Sequence, residues 1–155
     1  MTALAQDRNT PRREGDVRTG LAAAAALIYA GAIVMREADG HLTKGATATG
    51  SIAVGRAEAR VDNSAGADGD LAVTYRPGVF RFANSAAADE ITMAEIGDLC
   101  WVVDDQTVAK TSGSDARSPA GLVEDVDALG VWVRFDEQLT ATRAIAEEAL
   151  ATASA

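Results

Sequence analysis

The sequence predicts a mainly β protein, a compact β-barrel or sandwich of about seven or eight short strands. An extended N-terminal arm precedes this domain and a C-terminal helix follows it. Three observations favour this fold class. Short runs of β-branched and aromatic residues alternate with Gly, Asp and Asn turn signals. Fourteen glycines favour many turns over long helices. Near the end of the chain the apolar period changes to that of a helix.

Two β-units define the C-terminal half of the predicted domain. Residues 99–103 (Leu-Cys-Trp-Val-Val) are typical of a buried strand, Asp104 and Asp105 form a turn, and Thr107 and Val108 begin a return strand. Residues 123–135 repeat this pattern around an Asp-Ala-Leu-Gly turn. Each unit therefore predicts an antiparallel pair.

The N-terminal half supplies the other strands. They are predicted at residues 26–36 with a break at Gly31, at 41–44 after an Ala-Asp-Gly turn, at 52–61, at 71–76, and at 79–83 after the Pro77-Gly78 turn. Residues 62–70 form a turn-rich loop, and residues 22–26 and 91–96 are each expected to form one helical turn.

The predicted organisation has three parts: an arm at residues 1–20, a β-domain at 21–135, and a helix with its tail at 136–155. The arm has few large apolar side chains, so it is either a loose terminus or a segment that docks on a neighbouring subunit. In the helix, apolar positions such as Leu139 and Ile145 share a face, and Asp136 or Thr140 provides the cap. This face must pack on the β-domain or on a partner.

Composition excludes several classes of function. A net charge of −9 argues against non-specific binding to nucleic acid. The single cysteine, Cys100, excludes an intramolecular disulfide and a cysteine-rich zinc site, and its apolar neighbours indicate a buried thiol. The apolar run at residues 21–35 is too short to span a bilayer comfortably, so we expect no membrane association and synthesis in the cytoplasm.

The sequence offers little chemistry. It contains no phosphate-binding loop, and its only histidine, His41, lies beside a predicted turn, which favours a solvated side chain over a catalytic base. We therefore expect no catalytic residues, no cofactor and no enzymatic activity. One metal site is conceivable, because clustered oxygen ligands on a glycine-rich loop suit calcium. Its candidates are Asp62, Asn63, Asp68 and Asp70, although Asx-turn chemistry explains the same residues.

Several segments resemble the capsid decoration (cement, or head-stabilising) proteins of tailed bacteriophages. They are Ile-Tyr-Ala-Gly-Ala-Ile-Val at 28–34, Gly-Val-Phe-Arg-Phe-Ala-Asn-Ser at 78–85, Val-Val-Asp-Asp at 102–105, and residues 45–50, 54–58, 61–70 and 96–98. The resemblance extends over residues 22–135 and includes no catalytic motif. It implies a β-rich virion protein on the outer capsid surface, commonly a homotrimer, that binds the major capsid protein and reinforces the head.

The arm and the helix lie outside this resemblance. Arg12, Arg13 and Arg18 are our candidates for contacting an acidic capsid surface. A different class of function stays open beside this one: a β-rich module that binds calcium or a carbohydrate and has no catalytic activity.

Overall fold

Strands dominate the structure, a computed structural model that describes residues 3–153. The chain is 38% strand and 15% helix and contains a closed five-stranded barrel and a C-terminal helix, which confirms the predicted fold class. Residues 1, 2, 154 and 155, at the ends of the predicted arm and tail, lie outside the described residues.

Twelve strands and one α-helix follow one another along the described chain. They are β1 (Arg18–Leu21), β2 (Leu27–Ile28), β3 (Ile33–Arg36), β4 (Leu42–Lys44), β5 (Ile52–Ala57), β6 (Val61–Asp62), β7 (Ala72–Arg76), β8 (Gly78–Asn84), β9 (Leu99–Val102), β10 (Thr107–Ala109), β11 (Pro119–Asp127), β12 (Gly130–Phe135) and α1 (Glu137–Ala153). Two short 3-10 helices, Ala87–Asp89 and Met93–Glu95, lie between β8 and β9.

The N-terminal half forms an antiparallel sheet in the order β1-β7-β5-β3-β4. This sheet nearly closes on itself, because Ala22, just after β1, forms a parallel bridge with Leu42 of β4. Its concave side encloses a core that includes Ile28, Val34 and Val73. Strands β2 and β6 pair separately and contribute Ile28 to this core.

The C-terminal half is a closed barrel in the order β10-β8-β12-β11-β9. All its pairings are antiparallel except that of β10 with β8. Phe135, at the end of β12, is 1% exposed and packs edge-on against Phe82, with 5.5 Å between the ring centroids. This aromatic pair is part of a core that also contains Cys100 and Val133.

Strand β3 joins the two halves because both of its faces are buried. Val34 points into the core of the N-terminal sheet, whereas Ile33 and Met35 belong to the core of the barrel. The continuous apolar run at this strand is typical of a strand covered on both sides. Backbone contacts strengthen the junction: the Ile33 N–H donates to the Asp105 carbonyl at 2.8 Å.

Helix α1 begins where β12 ends. Asp136 caps it as predicted, accepting a hydrogen bond from the Leu139 N–H at 3.0 Å. The first turns pack on the β-domain: Thr140 is fully buried, and Glu137 forms a 2.7 Å ion pair with Arg36 of β3. No helix among the described residues has the length and apolar character needed to cross a bilayer.

Most predicted strand pairs are confirmed. β3 pairs with β4 around Gly40, β9 pairs with β10, and β11 pairs with β12. The number of strands is higher than predicted. The strand predicted at residues 26–36 is divided into β2 and β3, and the strand predicted at 52–61 is divided into β5 and β6. β1 begins within the predicted arm, which therefore ends at residue 17, because Arg18 pairs with Tyr75 of the distant β7. The helical turn expected at residues 91–96 is present as Met93–Glu95.

Two local predictions are wrong. Residues 22–26 form a tight turn in place of a helical one, because the N–H groups of Ala22 and Ala23 bond to Leu71 and Leu42 on opposite sides. The Pro77-Gly78 step does not close a hairpin: it carries the chain from β7 in the sheet to β8 in the barrel. Contacts between distant strands decide both cases.

We predict that Phe135→Ala destabilises the protein by about 3–5 kcal/mol, because it removes the ring against which Phe82 packs and leaves a cavity. Urea unfolding followed by tryptophan fluorescence measures this difference. Leu129→Ala is the matched control, since Leu129 is 72% exposed and should change stability by less than about 0.5 kcal/mol. Equal losses in the two variants would contradict the assignment of Phe135 to the core.

Candidate functional site

The four calcium candidates lie at the end of β6 and in the loop between β6 and β7, where their polar atoms bond to the protein itself. Asp62 Oδ1 accepts hydrogen bonds from the backbone and hydroxyl of Ser64. Asn63 is buried and donates from Nδ2 to the carbonyls of Ala23 and Ala67 at 2.8 and 2.9 Å. These bonds fasten the loop to the turn after β1.

The remaining two carboxylates also accept backbone donors. Asp68 Oδ1 accepts from the Ala24 N–H at 2.6 Å, and Asp70 Oδ2 accepts from the Ala67 N–H at 2.8 Å. Within residues 3–153, Asp62, Asp68 and Asp70 do not gather around one point as a group of metal ligands. The Asx-turn interpretation holds for Asp62, which accepts from the N–H two residues on, whereas Asp68 and Asp70 accept from other backbone groups.

A different cluster joins the same loop to the β3–β4 turn. Ligand atoms of Asp39, His41 and Asp68 lie within 4.8 Å of one another. His41 Nδ1 is 3.0 Å from Asp39 Oδ2, and the side chain of His41 is only 25% exposed, so it is less solvated than the sequence predicted. These are the described residues best placed to hold a metal, but one imidazole and two engaged carboxylates are a poor match for calcium.

Electrostatics at this cluster favour a protonated histidine. The hydrogen bond with Asp39 raises the pKa of His41 above its ordinary value, assisted by the nearby charges of Asp39, Asp68 and Glu37. The backbone N–H of His41, which donates to Asp39 Oδ1 at 3.0 Å, lowers the pKa of Asp39, and the contact with the imidazole lowers it further. Sequence reasoning missed this cluster because Asp68 lies far from the turn in the chain, although the Asp-Gly-His order was a visible signal.

The three candidate arginines have two different environments. Arg12 and Arg13 lie in the exposed arm, and Arg12 makes only a 3.3 Å pair with Glu14 in which both side chains are largely exposed. Arg18 belongs to β1, opposite Tyr75, and donates to the carbonyls of Gly15 and Val17. The structure thus separates Arg18, at the base of the arm, from the two arginines within it.

A concave surface lies beside the C-terminal half of α1. It is a cleft of about 790 Å³ between this part of the helix and the barrel. Trp101 and Pro119 line its barrel side, and Ile145, Glu147 and Glu148 line its helix side. The apolar face predicted for this helix does not pack on the β-domain, because Leu139 is 44% and Ile145 is 68% exposed. The helix covers a different side, on which Thr140 is buried and Ala144 half-buried, so packing of the predicted face on a partner stays a prediction. The sequence predicted that face but gave no sign of the cleft.

The two tryptophans and the cysteine occupy distinct positions. Trp101 is half-buried at the cleft, whereas Trp132 donates from Nε1 to Asp127 at 2.8 Å with Arg81 5.5 Å from its ring.

Cys100 is fully buried, as predicted, and burial raises the pKa of its thiol to about 12. The thiol is therefore protonated and shielded at neutral pH.

A second exposed apolar area lies at the far end of the barrel. Met93 and Leu129 are 77% and 72% exposed, and both line a shallow depression of about 530 Å³ between the 3-10 helix and the β11–β12 turn. Large exposed apolar side chains that lie together are typical of surfaces that contact another protein.

Comparisons with known proteins leave the structure to be interpreted on its own. No family model, no curated protein and no solved structure matches this chain.

We predict that His41 stabilises the protein more in acid than in base. Its folded-state pKa is raised, so the contribution is fully present below the ordinary value near 6.5 and is lost as the pH rises through the higher folded-state value. The melting temperatures of the protein and of His41→Gln should therefore differ more at about pH 5.5 than at about pH 8.5. In an Asp39→Asn background the change of this melting-temperature difference with pH should be smaller. A difference between the protein and His41→Gln that is the same at both pH values would contradict the prediction.

We also predict that calcium at about 5 mM leaves the melting temperature unchanged, because the carboxylates of the β6–β7 loop already accept backbone hydrogen bonds. Differential scanning fluorimetry with magnesium as the control measures this. A rise of several degrees with calcium alone would favour a binding module.

Proposed function

We propose that this protein is a structural component of a tailed-bacteriophage virion. In this role it binds the outside of the major capsid protein lattice as a homotrimer and stabilises the head. The observation that carries the proposal is the combination of a β-domain that has two hydrophobic cores with an exposed arm and separate exposed apolar areas. Such a molecule is suited to holding neighbours through surfaces.

The resemblance to decoration proteins supports the proposal, and the resembling segments fall in the structured part of the chain. Residues 78–85 include β8, and residues 102–105 include the turn after β9, so both belong to the barrel. Residues 28–34 reach β3, the strand shared by the two cores. The resemblance thus concerns the scaffold and leaves the arm and α1 as additions.

Charge distribution supports the same role. The chain carries a net charge of −9, yet residues 8–13 contain Arg8, Arg12 and Arg13 and no acidic residue. An acidic body keeps the protein soluble and separate from nucleic acid, whereas the basic part of the arm is attracted to acidic protein surfaces.

Repetition on a lattice makes modest contacts sufficient. When a trimer engages several capsid subunits, the later contacts form at a high effective concentration and overall affinity rises far above that of one contact. The exposed side chains Met93 and Leu129 provide apolar area for such contacts, and the arm extends the reach of each copy.

We predict that deletion of residues 3–15 lowers occupancy on purified heads at least about tenfold, because the arm supplies contacts that multivalency amplifies. The deletion keeps Asp16, which pairs with Arg76 at 3.9 Å, and the whole of β1. Occupancy is measured by quantitative gel analysis of sedimented particles and by electron cryo-microscopy at the local threefold positions.

Circular dichroism and melting temperature provide the control that the shortened protein folds normally. Undiminished occupancy would remove the arm from the proposed mechanism. Failure of the full-length protein to bind heads at all would reject the proposed function.

A further inference from the structure

We propose that the cleft between α1 and the barrel binds the N-terminal arm of a second copy of this protein. This inference rests on the proposed function in one respect, the association of copies with one another. It names the surface that the arm recognises, and it concerns contacts that exist without a capsid.

The cleft combines an apolar floor with an acidic rim. Trp101, Pro119 and Ile145 provide the apolar surface. Asp115, Glu147 and Glu148 surround it, and these carboxylates give it negative charge.

Among the described residues that line the cleft, the basic side chain Arg117 is already engaged. It is mostly buried, with its Nη1 2.9 Å from Asp89 Oδ2 and 3.0 Å from the Thr111 carbonyl, so it contributes little to neutralising the rim. Glu147 Oε1 lies 3.5 Å from Arg143 Nε, so the negative charge that the cleft offers to a cationic ligand lies mainly on Asp115 and Glu148.

The arm has the complementary chemistry. Residues 4–13 carry three arginines against a single acid, Asp7, and they begin with Leu4, which is 72% exposed. Leu4 is suited to the apolar floor and Arg8 to the acidic rim. The ion pair between Arg12 and Glu14 is solvent-exposed, so Arg12 can leave Glu14 and pair with a carboxylate of the cleft at little cost in free energy.

The arm is also long and extended. It contains no helix or strand from residue 3 to residue 17, and Pro11 favours an extended backbone. At about 3.3 Å per residue, residues 4–17 span up to roughly 45 Å, which exceeds the diameter of a small domain. This reach allows the arm to contact an adjacent molecule.

The base of the arm lies at the opposite end of α1 from the cleft. Strand β1 pairs with β7, and Arg18 lies near Glu137, at the start of α1, whereas the cleft follows Ala144–Thr152 at the other end of the helix. Within one chain residues 3–17 of the arm are all exposed. An arm that passes to the next copy generates a head-to-tail interface, which closes into a ring when the rotation permits.

Mixed cysteine variants test the exchange directly. Arg8→Cys in one copy and Glu148→Cys in another are combined and mildly oxidised, and the mixed disulfide is identified by mass. Cys100 should not interfere, because it is fully buried and burial raises its pKa to about 12. We expect the mixed disulfide in at least about fivefold excess over that of the control Arg8→Cys with Ala38→Cys, which places a thiol on an exposed turn away from the cleft.

The outcomes separate the alternatives. Equal yields for the cleft and the control would overturn the proposal. A chain that carries both Arg8→Cys and Glu148→Cys and forms only an internal disulfide would also overturn the proposal, because the cleft would then bind the arm of the same molecule.

Charge reversal provides a second readout. Glu147→Lys with Glu148→Lys should weaken self-association roughly tenfold in sedimentation experiments, and Arg8→Glu with Arg12→Glu should restore it in the same chain. Glu90→Lys, on an exposed site outside the cleft, is the matched control. The inference would be contradicted if the charge reversal left self-association unchanged, or if the arginine substitutions did not restore it. Since these assays contain no capsids, their failure leaves head binding to be judged separately.

Discussion

The burial of both faces of β3 is the constraint on which the rest of the structure depends. Val34 faces one core, and Ile33 and Met35 face the other, so each core needs this strand in one register. A shift by one residue would exchange the faces and place the wrong side chains in both cores at once. The same strand ends at Arg36, which bonds Glu137 and Tyr75 and so fixes the start of α1.

The position of α1 in turn creates the surface to which we assign function. Its first turn is held by the cap at Asp136 and by the buried Thr140, whereas its second half lines the cleft. A helix anchored at one end leaves an apolar side uncovered at the other, and a cleft forms between that side and Trp101. Exposed apolar surface next to acidic side chains is suited to binding a protein segment.

Polar residues that suggested a metal site contribute to folding instead. Asn63 is buried and ties its loop to Ala23, and Asp68 accepts the Ala24 N–H. These bonds satisfy backbone groups in a turn that belongs to no long strand. The loop thereby secures the seam where the N-terminal sheet nearly closes, next to the Ala22–Leu42 bridge.

The sequence by itself determined the class of fold, the turns with Gly and Asp and the burial of Cys100, because local propensity and apolar pattern dictate these features. It limited the helix cap to Asp136 or Thr140, and the structure selects Asp136. The tertiary structure alone decided the two-residue strands, the division into two cores, the His41 cluster and the cleft. Each of these depends on contacts between residues far apart in the chain, and a linear pattern contains no information about which distant segments meet.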